Sequence, residues 1–199
     1  MSWKKAQKWE KNWWGSCVNT FGEEEKQLIY AKKMGLKTFH DGKSPYNFDM
    51  KGKKILDIGG GPCSMLLKCS GLKDGLVVDP CEYPEWVKLR YDEAGIVSVR
   101  DKGENVGDFG IVDEIWIYNV LQHVDKPSKI IKNALKISKV IRIFEWINTS
   151  PNEGHPHKLT AGKLDKWLGG VGKVEDLKER YCRGRCYHGI FKGKHYEKV

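Results

Sequence analysis

The sequence predicts an α/β protein whose mostly parallel sheet is preceded by two helices and closed by an antiparallel hairpin. Three observations carry that reading. From Lys53 onward, short apolar runs alternate with helical stretches, the mark of parallel strands joined by crossover helices. The first apolar run ends in Gly59-Gly60-Gly61-Pro62, a turn rather than a hairpin loop. The last two strand-like segments have no helix between them and so must pair directly.

The elements follow in order. Residues 3–14 hold Trp3, Trp9, Trp13 and Trp14, and Trp9 and Trp13 share one face of a helix. After a break at Gly15-Ser16, Thr20-Phe21-Gly22-Glu23 has the form of a capping box, with Thr20 as N-cap of a helix over about 21–34. The Pro45 region is read as the linker into a second unit, which divides the chain into residues 1–45 and 46–199. Ile55 to Ile58 is the first strand, and a short helix through Met65, Leu66 and Leu67 follows. Leu76 to Val78 ends at Asp79-Pro80 and leads to a helix over 84–94. Ile96 to Val99 and Ile111 to Tyr118 are the third and fourth strands. Asp125-Lys126-Pro127 opens a helix carrying Ile130, Ile131, Leu135 and Ile137, and Val140 to Phe144 is the fifth strand. A polar loop, Pro151 to His157, enters a helix with Leu164, Trp167 and Leu168. Segments 174–183 and 186–192 then flank Arg183-Gly184-Arg185 as the hairpin.

Composition narrows the class of protein. The chain has 199 residues, 40% hydrophobic and 31% charged, enough for one ordinary domain with a real core. No stretch approaches the roughly 20 apolar residues of a membrane helix. The basic, Trp-rich N-terminus lacks the apolar run and cleavage site of a secretory signal, so a cytoplasmic location and six reduced cysteines are expected. Cys182, Cys186, His188 and His195 do not have a usual zinc-finger spacing, and no metal is expected. The net charge of +9 invites nucleic acid, yet the cations are mostly dispersed lysines, which a solvated surface explains equally well.

The glycine turn is the sharpest feature. It sits between a buried strand and a helix, where bare backbone lets a ligand approach closely. Asp57 stands just before it, and Asp79 ends the next strand 22 residues later, where an acid commonly takes ribose hydroxyls. A dinucleotide fits poorly: the third glycine is replaced by Ser64, and the Asp57 carboxylate would repel a pyrophosphate. It would attract a cation instead, by roughly 4 kcal/mol at 4 Å before desolvation. A nucleoside with a positive group in place of phosphates is the ligand that this arrangement suggests.

Ile55-Leu56-Asp57-Ile58-Gly59-Gly60-Gly61-Pro62, Val77-Val78-Asp79 and Asn119-Val120-Leu121-Gln122-His123-Val124 resemble the ordered motifs of class I S-adenosylmethionine-dependent methyltransferases over about residues 50–192. The resemblance implies a Rossmann-like fold with a seven-stranded sheet and a reversed last strand, S-adenosyl-L-methionine as cofactor, and an N-terminal helical lid over residues 1–45. Asp57, Gly59 and Gly61 would border the methionine part, and Asp79 would hold the ribose. Asp101, Glu104 or Asn105 would touch adenine, with Glu104 favoured by the order of the motif. Asn119, Val120 and Leu121 would line the methionine side through backbone atoms, and His123 would orient its loop. Trp13-Trp14 and Cys17 to Thr20 are the candidates for closing the pocket, while three of the four tryptophans are expected simply to pack the helices onto the sheet. Trp13 to Thr20 is also similar to a segment of small phage-encoded methyltransferases, which would place the protein in the host cytoplasm.

Glu145, His155 and His157 lie beyond the fourth and fifth strands, at the edge where α/β sheets bind ligands. Pro156 stiffens the histidine pair, so His157 or His155 is expected as a base or acceptor-orienting group, unless the loop merely caps the next helix at Thr160. The place after the fourth strand reads Tyr118-Asn119-Val120-Leu121, unlike the Asp/Asn-Pro-Pro-aromatic tetrad of amino-methyltransferases acting on DNA. The Pro-Cys pairs, Pro62-Cys63 and Pro80-Cys81, do not stand where cytosine C5 enzymes keep theirs. A small acceptor, a metabolite or a nucleotide-like or sugar-like molecule methylated on O or N, is therefore expected. RNA or DNA on the basic surface, and a non-catalytic cofactor-binding interaction protein, are the alternatives.

Overall fold

The computed structural model describes residues 3–15, 17, 19–38 and 47–196. The linker expected around Pro45 lies outside them, as do Ser16 and Val18.

Two helices come first, α1 (Trp3–Trp14) and α2 (Thr20–Lys33). The capping box does not form. Asn19, not Thr20, is the N-cap of α2, and it adopts helical backbone angles without a side-chain cap. The Glu23 N–H donates to Asn19 O at 3.2 Å, and the Glu23 carboxylate turns to Lys26 instead, at 2.6 Å. A cap one residue earlier leaves Thr20 inside the first turn, where its hydroxyl cannot reach back.

Among the described residues nine strands follow in chain order: β1 (Phe48–Asp49), β2 (Lys54–Ile58), β3 (Cys69–Ser70), β4 (Asp74–Val78), β5 (Ile96–Val99), β6 (Val112–Tyr118), β7 (Ser138–Trp146), β8 (Lys173–Lys178) and β9 (Arg183–Lys192). β1 and β3 make a separate two-stranded ribbon, and the other seven form one sheet in the order β5-β4-β2-β6-β7-β9-β8. β5, β4, β2, β6 and β7 are mutually parallel, and β9 runs antiparallel to both β7 and β8. The helices between are α3 (Glu85–Glu93), α4 (Pro127–Ile137) and α5 (Ala161–Leu168).

Two elements differ from expectation. The segment after β2 is a pair of 3-10 turns, Gly61–Cys63 and Met65–Lys68, not an α-helix. Pro62 and the glycines do not support a longer helix, and the Ser64 N–H is tied to the Tyr91 hydroxyl at 2.9 Å. The hairpin turns at residues 179–182, so Arg183, Gly184 and Arg185 are the first residues of β9 rather than the turn. Pairing decides this: Trp146 stands opposite Cys186, and Leu177 opposite Gly184.

Side chains alternate across the sheet. Leu56, Ile58, Ile115, Ile117, Ile141 and Ile143 bury against Ile130, Ile131 and Ala134 of α4 and Leu164 of α5. On the other face, Ile55, Trp116 and Phe144 bury against Tyr30, Ala31 and Met34 of α2, while Val77 joins Val87 and Tyr91 of α3 in the same cluster. α2 is therefore not an appendage, since it supplies part of one of the two cores. Its end is fixed to the sheet by Arg142, which donates to Met34 O at 2.8 Å and to Glu114 at 2.6 and 3.1 Å.

Candidate functional site

A cavity of about 450 Å³ opens along the carboxyl edge of the sheet, where the backbone must turn away from β2, β4 and β6 and leaves a crevice. Gly59 and Gly60 form its floor after β2, with Ile58, Val78 and Val120 beside them. Gly59 has φ +74°, and an added Cβ would stand 2.5 Å from a Val120 methyl. Only glycine fits this cradle.

Asp79 and Glu104 line the β4–β5 side of the cavity. Asp79 accepts from the Cys81 N–H at 2.8 Å, from the Tyr83 hydroxyl at 3.1 Å and from the Gly61 N–H at 3.2 Å. Burial pushes its carboxyl above the usual range. Glu104 accepts from the N–H groups of Asp125 and Lys126 at 3.1 and 2.8 Å. Each carboxylate keeps lone pairs for a further donor. Asp101 and Asn105 hydrogen-bond to each other at 2.8 Å and do not line the cavity, so Glu104 alone of those three faces it.

Asp57 is placed differently from expectation. It lies wholly buried beneath the glycine turn and does not line the cavity. Its Oδ2 accepts from Ser64 at 2.5 Å and from the Tyr118 hydroxyl, and an added Cβ on Gly60 would strike that same oxygen at 2.7 Å. Burial pushes its carboxyl up to about 7. It braces the turn, and its Oδ1 has no hydrogen-bond partner among the described residues. Gly61 also lies behind the floor, below Trp14 and Tyr83.

Beyond β6, Asn119 adopts a left-handed backbone, φ +57°, which swings the chain across the sheet edge. Asn119 and Val120 line the cavity and Leu121 does not. The N–H groups expected to face a ligand are spent: Val120 and Leu121 both donate to Glu145 Oε1 at 3.0 Å. Glu145 is wholly buried, and burial raises it to about 7. It holds the loop and does not reach the cavity.

The histidines separate as well. His157 sits away from the cavity, with Nε2 at 2.8 Å from Val124 O and 3.2 Å from Asp125 O. That nitrogen donates to the carbonyls, and the ring, lying outside the cavity lining, does not reach an acceptor there. His155 does line the cavity, but burial and the neighbouring His123 lower it to about 4, far from a group titrating near neutral pH. His123 bridges elements: Nδ1 stands 2.9 Å from Gly154 O and 2.7 Å from the Glu10 carboxylate of α1.

All four tryptophans of α1 line the cavity, where simple packing onto the sheet is the expectation for three of them. Trp9 and Trp13 are stacked at 5.4 Å, as their spacing predicts. Lys102 stands over the Trp3 ring at 3.6 Å. Residues that sequence reasoning missed complete the far end: Tyr30, Gln27 and Lys26 of α2, Trp146 at the end of β7, and Tyr181, Arg183 and Arg185 at the hairpin. The former zinc candidates stay apart in function, since His188 spends both ring nitrogens on Lys33 O and Glu175, each at 2.9 Å. Among the described residues no helix is long and apolar enough to cross a membrane.

This seven-stranded sheet, with its one reversed strand and its cavity after β2, β4 and β6, is the fold of the class I S-adenosylmethionine-dependent methyltransferases. The N-methyltransferase NodS from Bradyrhizobium japonicum WM9, solved with S-adenosyl-L-homocysteine, superposes with a TM-score of 0.59 at 13% identity, covering 87% of this chain and 88% of that one. A Haloferax volcanii chain described as a methyltransferase, in complex with the Trm112 methyltransferase activator, gives 0.64 at 12% identity over 92% and 96%. An O-methyltransferase family protein from Burkholderia thailandensis gives 0.56 at 10% identity over 88% and 59%. By sequence, no family profile and no curated protein matches the chain.

Proposed function

We propose that the protein is an S-adenosylmethionine-dependent methyltransferase acting on an O or N atom of a small molecule. The observation that carries this reading is the polarity of the cavity in a methyltransferase fold: glycine floor at the centre, the half-buried Asp79 and the buried Glu104 on the β4–β5 side, aromatic and cationic side chains on the other. The NodS neighbour's complex with S-adenosyl-L-homocysteine supports the same ligand here.

The residues present fit that cofactor. Asp79 would hold the ribose and Glu104 the adenine side, with Lys102 and Trp3 closing over them. Gly59 and Gly60 leave room for the methionine part because any side chain on Gly59 would collide with Val120. When bound, the cofactor supplies a sulfonium methyl, which passes to an acceptor lone pair as the S–C bond breaks, the electron pair returning to sulfur and the acceptor proton leaving to solvent. The chain's own contribution is then positioning, worth several kcal/mol when reacting atoms are held about 3–3.5 Å apart. His157, His155 and Glu145 are not poised as bases, for the reasons given above. α1 lines one side of the cavity with tryptophans, and a partly covered cavity of about 450 Å³ suits a small acceptor better than a polynucleotide.

Thermal unfolding with S-adenosylmethionine, S-adenosylhomocysteine and NAD tests the reading. At 100 times Kd, specific binding adds about 2.7 kcal/mol, and a rise of several degrees with the first two but not NAD is expected. Asp79→Ala should abolish that rise while leaving the unliganded protein folded. No rise with either methionine derivative overturns the assignment.

A further inference from the structure

The cavity extends well past the half that the cofactor would use. Asp79 follows β4, whereas Arg183 and Arg185 begin β9, four strand positions away in the sheet order. At about 4.8 Å per step that is roughly 19 Å.

This far end has a definite chemistry. Its floor is aromatic: Tyr30 stacks on Phe144 at 4.2 Å, and Trp146 stands edge-on to both, at 6.3 and 5.2 Å. Two of its buried side chains have unused hydrogen-bonding capacity. Among the described residues the Tyr30 hydroxyl finds no acceptor and Gln27 Oε1 finds no donor, so each has bonding capacity left for a bound molecule.

Its rim is cationic, and the topology explains why. Because β9 runs opposite to β7, its first residues overhang the carboxyl edge next to Trp146, and Ile147 N–H fixes Arg185 O at 2.9 Å. Arg185 pairs with Asp176 at 3.2 Å. Arg183 makes no ion pair among the described residues. Lys26 adds a third cation, paired with Glu23, the one acid that lines this end.

We propose that this end is the acceptor site, and that the acceptor is a flat ring compound bearing a carboxylate or a phosphate. The ring lies on the Trp146–Tyr30 floor, and the anion meets Arg183, with Arg185 beside it. A guanidinium engages either anion through two parallel N–H bonds, and among the described residues the Arg183 guanidinium has no hydrogen-bond or ion-pair partner. The inference rests on the methyltransferase reading above.

The test uses the full chain saturated with S-adenosylhomocysteine and three probes of one ring: 4-hydroxybenzoate, 4-hydroxyphenyl phosphate and the neutral 4-hydroxybenzamide. Calorimetry should show at least one anion binding about tenfold tighter than the amide, and which of the two wins distinguishes carboxylate from phosphate. Arg183→Gln should erase that preference while leaving the affinities for the amide and for S-adenosylhomocysteine unchanged, the latter proving that the variant is folded. Equal binding of all three probes, no binding of either anion at millimolar concentration, or an unchanged preference in Arg183→Gln overturns the acceptor assignment alone. Failure of S-adenosylhomocysteine to bind the unaltered protein instead removes the methyltransferase reading, and the acceptor site with it.

Discussion

Glu10 of α1 meets His123, beyond β6, at 2.7 Å, so the helix that carries four tryptophans is fastened to the ligand edge by an ion pair. Burial alone would lower His123, but the Glu10 carboxylate outweighs it, with help from Glu145, and the imidazole ends above its ordinary range. A histidine raised in this way stabilises fully below its unfolded value, and the contribution is lost as pH rises through the folded value. Tryptophan fluorescence should therefore report loosening of α1 at a pH above the ordinary histidine range. In Glu10→Gln the midpoint should fall below it, because burial is then unopposed; coincident titrations would refute the fastening.

Asp57 and Glu145 behave in the opposite sense. Both carboxyls are pushed up to about 7 by burial, so the folded chain holds protons that the unfolded chain has already released. Stability should fall as pH rises from about 4 to above 7. Urea midpoints measured across that window should decline, and Asp57→Asn should flatten part of the decline. A midpoint that rises throughout would contradict the burial of these groups.

Glu114 answers to the third sign. Burial would raise it, but Arg142 and Lys53 hold it down at about 2, so its contribution is present above the unfolded carboxylate range and lost only in strong acid. Glu114→Ala leaves Arg142 without its buried partner and should cost about 3 kcal/mol in urea denaturation. A loss under 1 kcal/mol would mean that the pair is solvated.

Gly59→Ala places a side chain at φ +74° and 2.5 Å from Val120. The backbone alone costs about 1–2 kcal/mol, and binding of S-adenosylhomocysteine should weaken at least tenfold as the floor shifts. Gly162→Ala is the contrast: inside α5 with nothing within 4 Å of the new methyl, it should stabilise by up to about 1 kcal/mol. Scanning calorimetry of the pair separates the two glycines.

Much of this was legible from residues alone, and the boundary is physical. The parallel core reads directly because buried strands are apolar runs, and Gly59 and Asp79 read because strand ends place them at the cavity edge; Glu104, five residues beyond β5, was singled out only by the family resemblance. Asp57 was misplaced because spacing cannot tell a side chain facing a cavity from one tucked under a turn; the partners that decide it, Ser64 and Tyr118, come from 7 and 61 residues away. His157 failed for a similar reason, since its loop path lets Val124 and Asp125 carbonyls capture the ring. Arg183-Gly184-Arg185 has the composition of a turn, and only pairing with β8 makes it a strand.

The placement of Arg183 and Arg185 on a strand that enters the sheet backwards has one more consequence. The glycine floor and the two acids come from residues 59–104, while Trp146 and the arginines come from the last third of the chain and the rest of the far end from α2. On the proposed acceptor reading, drift at the exposed positions 183 and 185 would alter what is recognised without touching the glycine turn, while Leu177, Cys186, Tyr187 and Phe191 of the same hairpin hold the core in place.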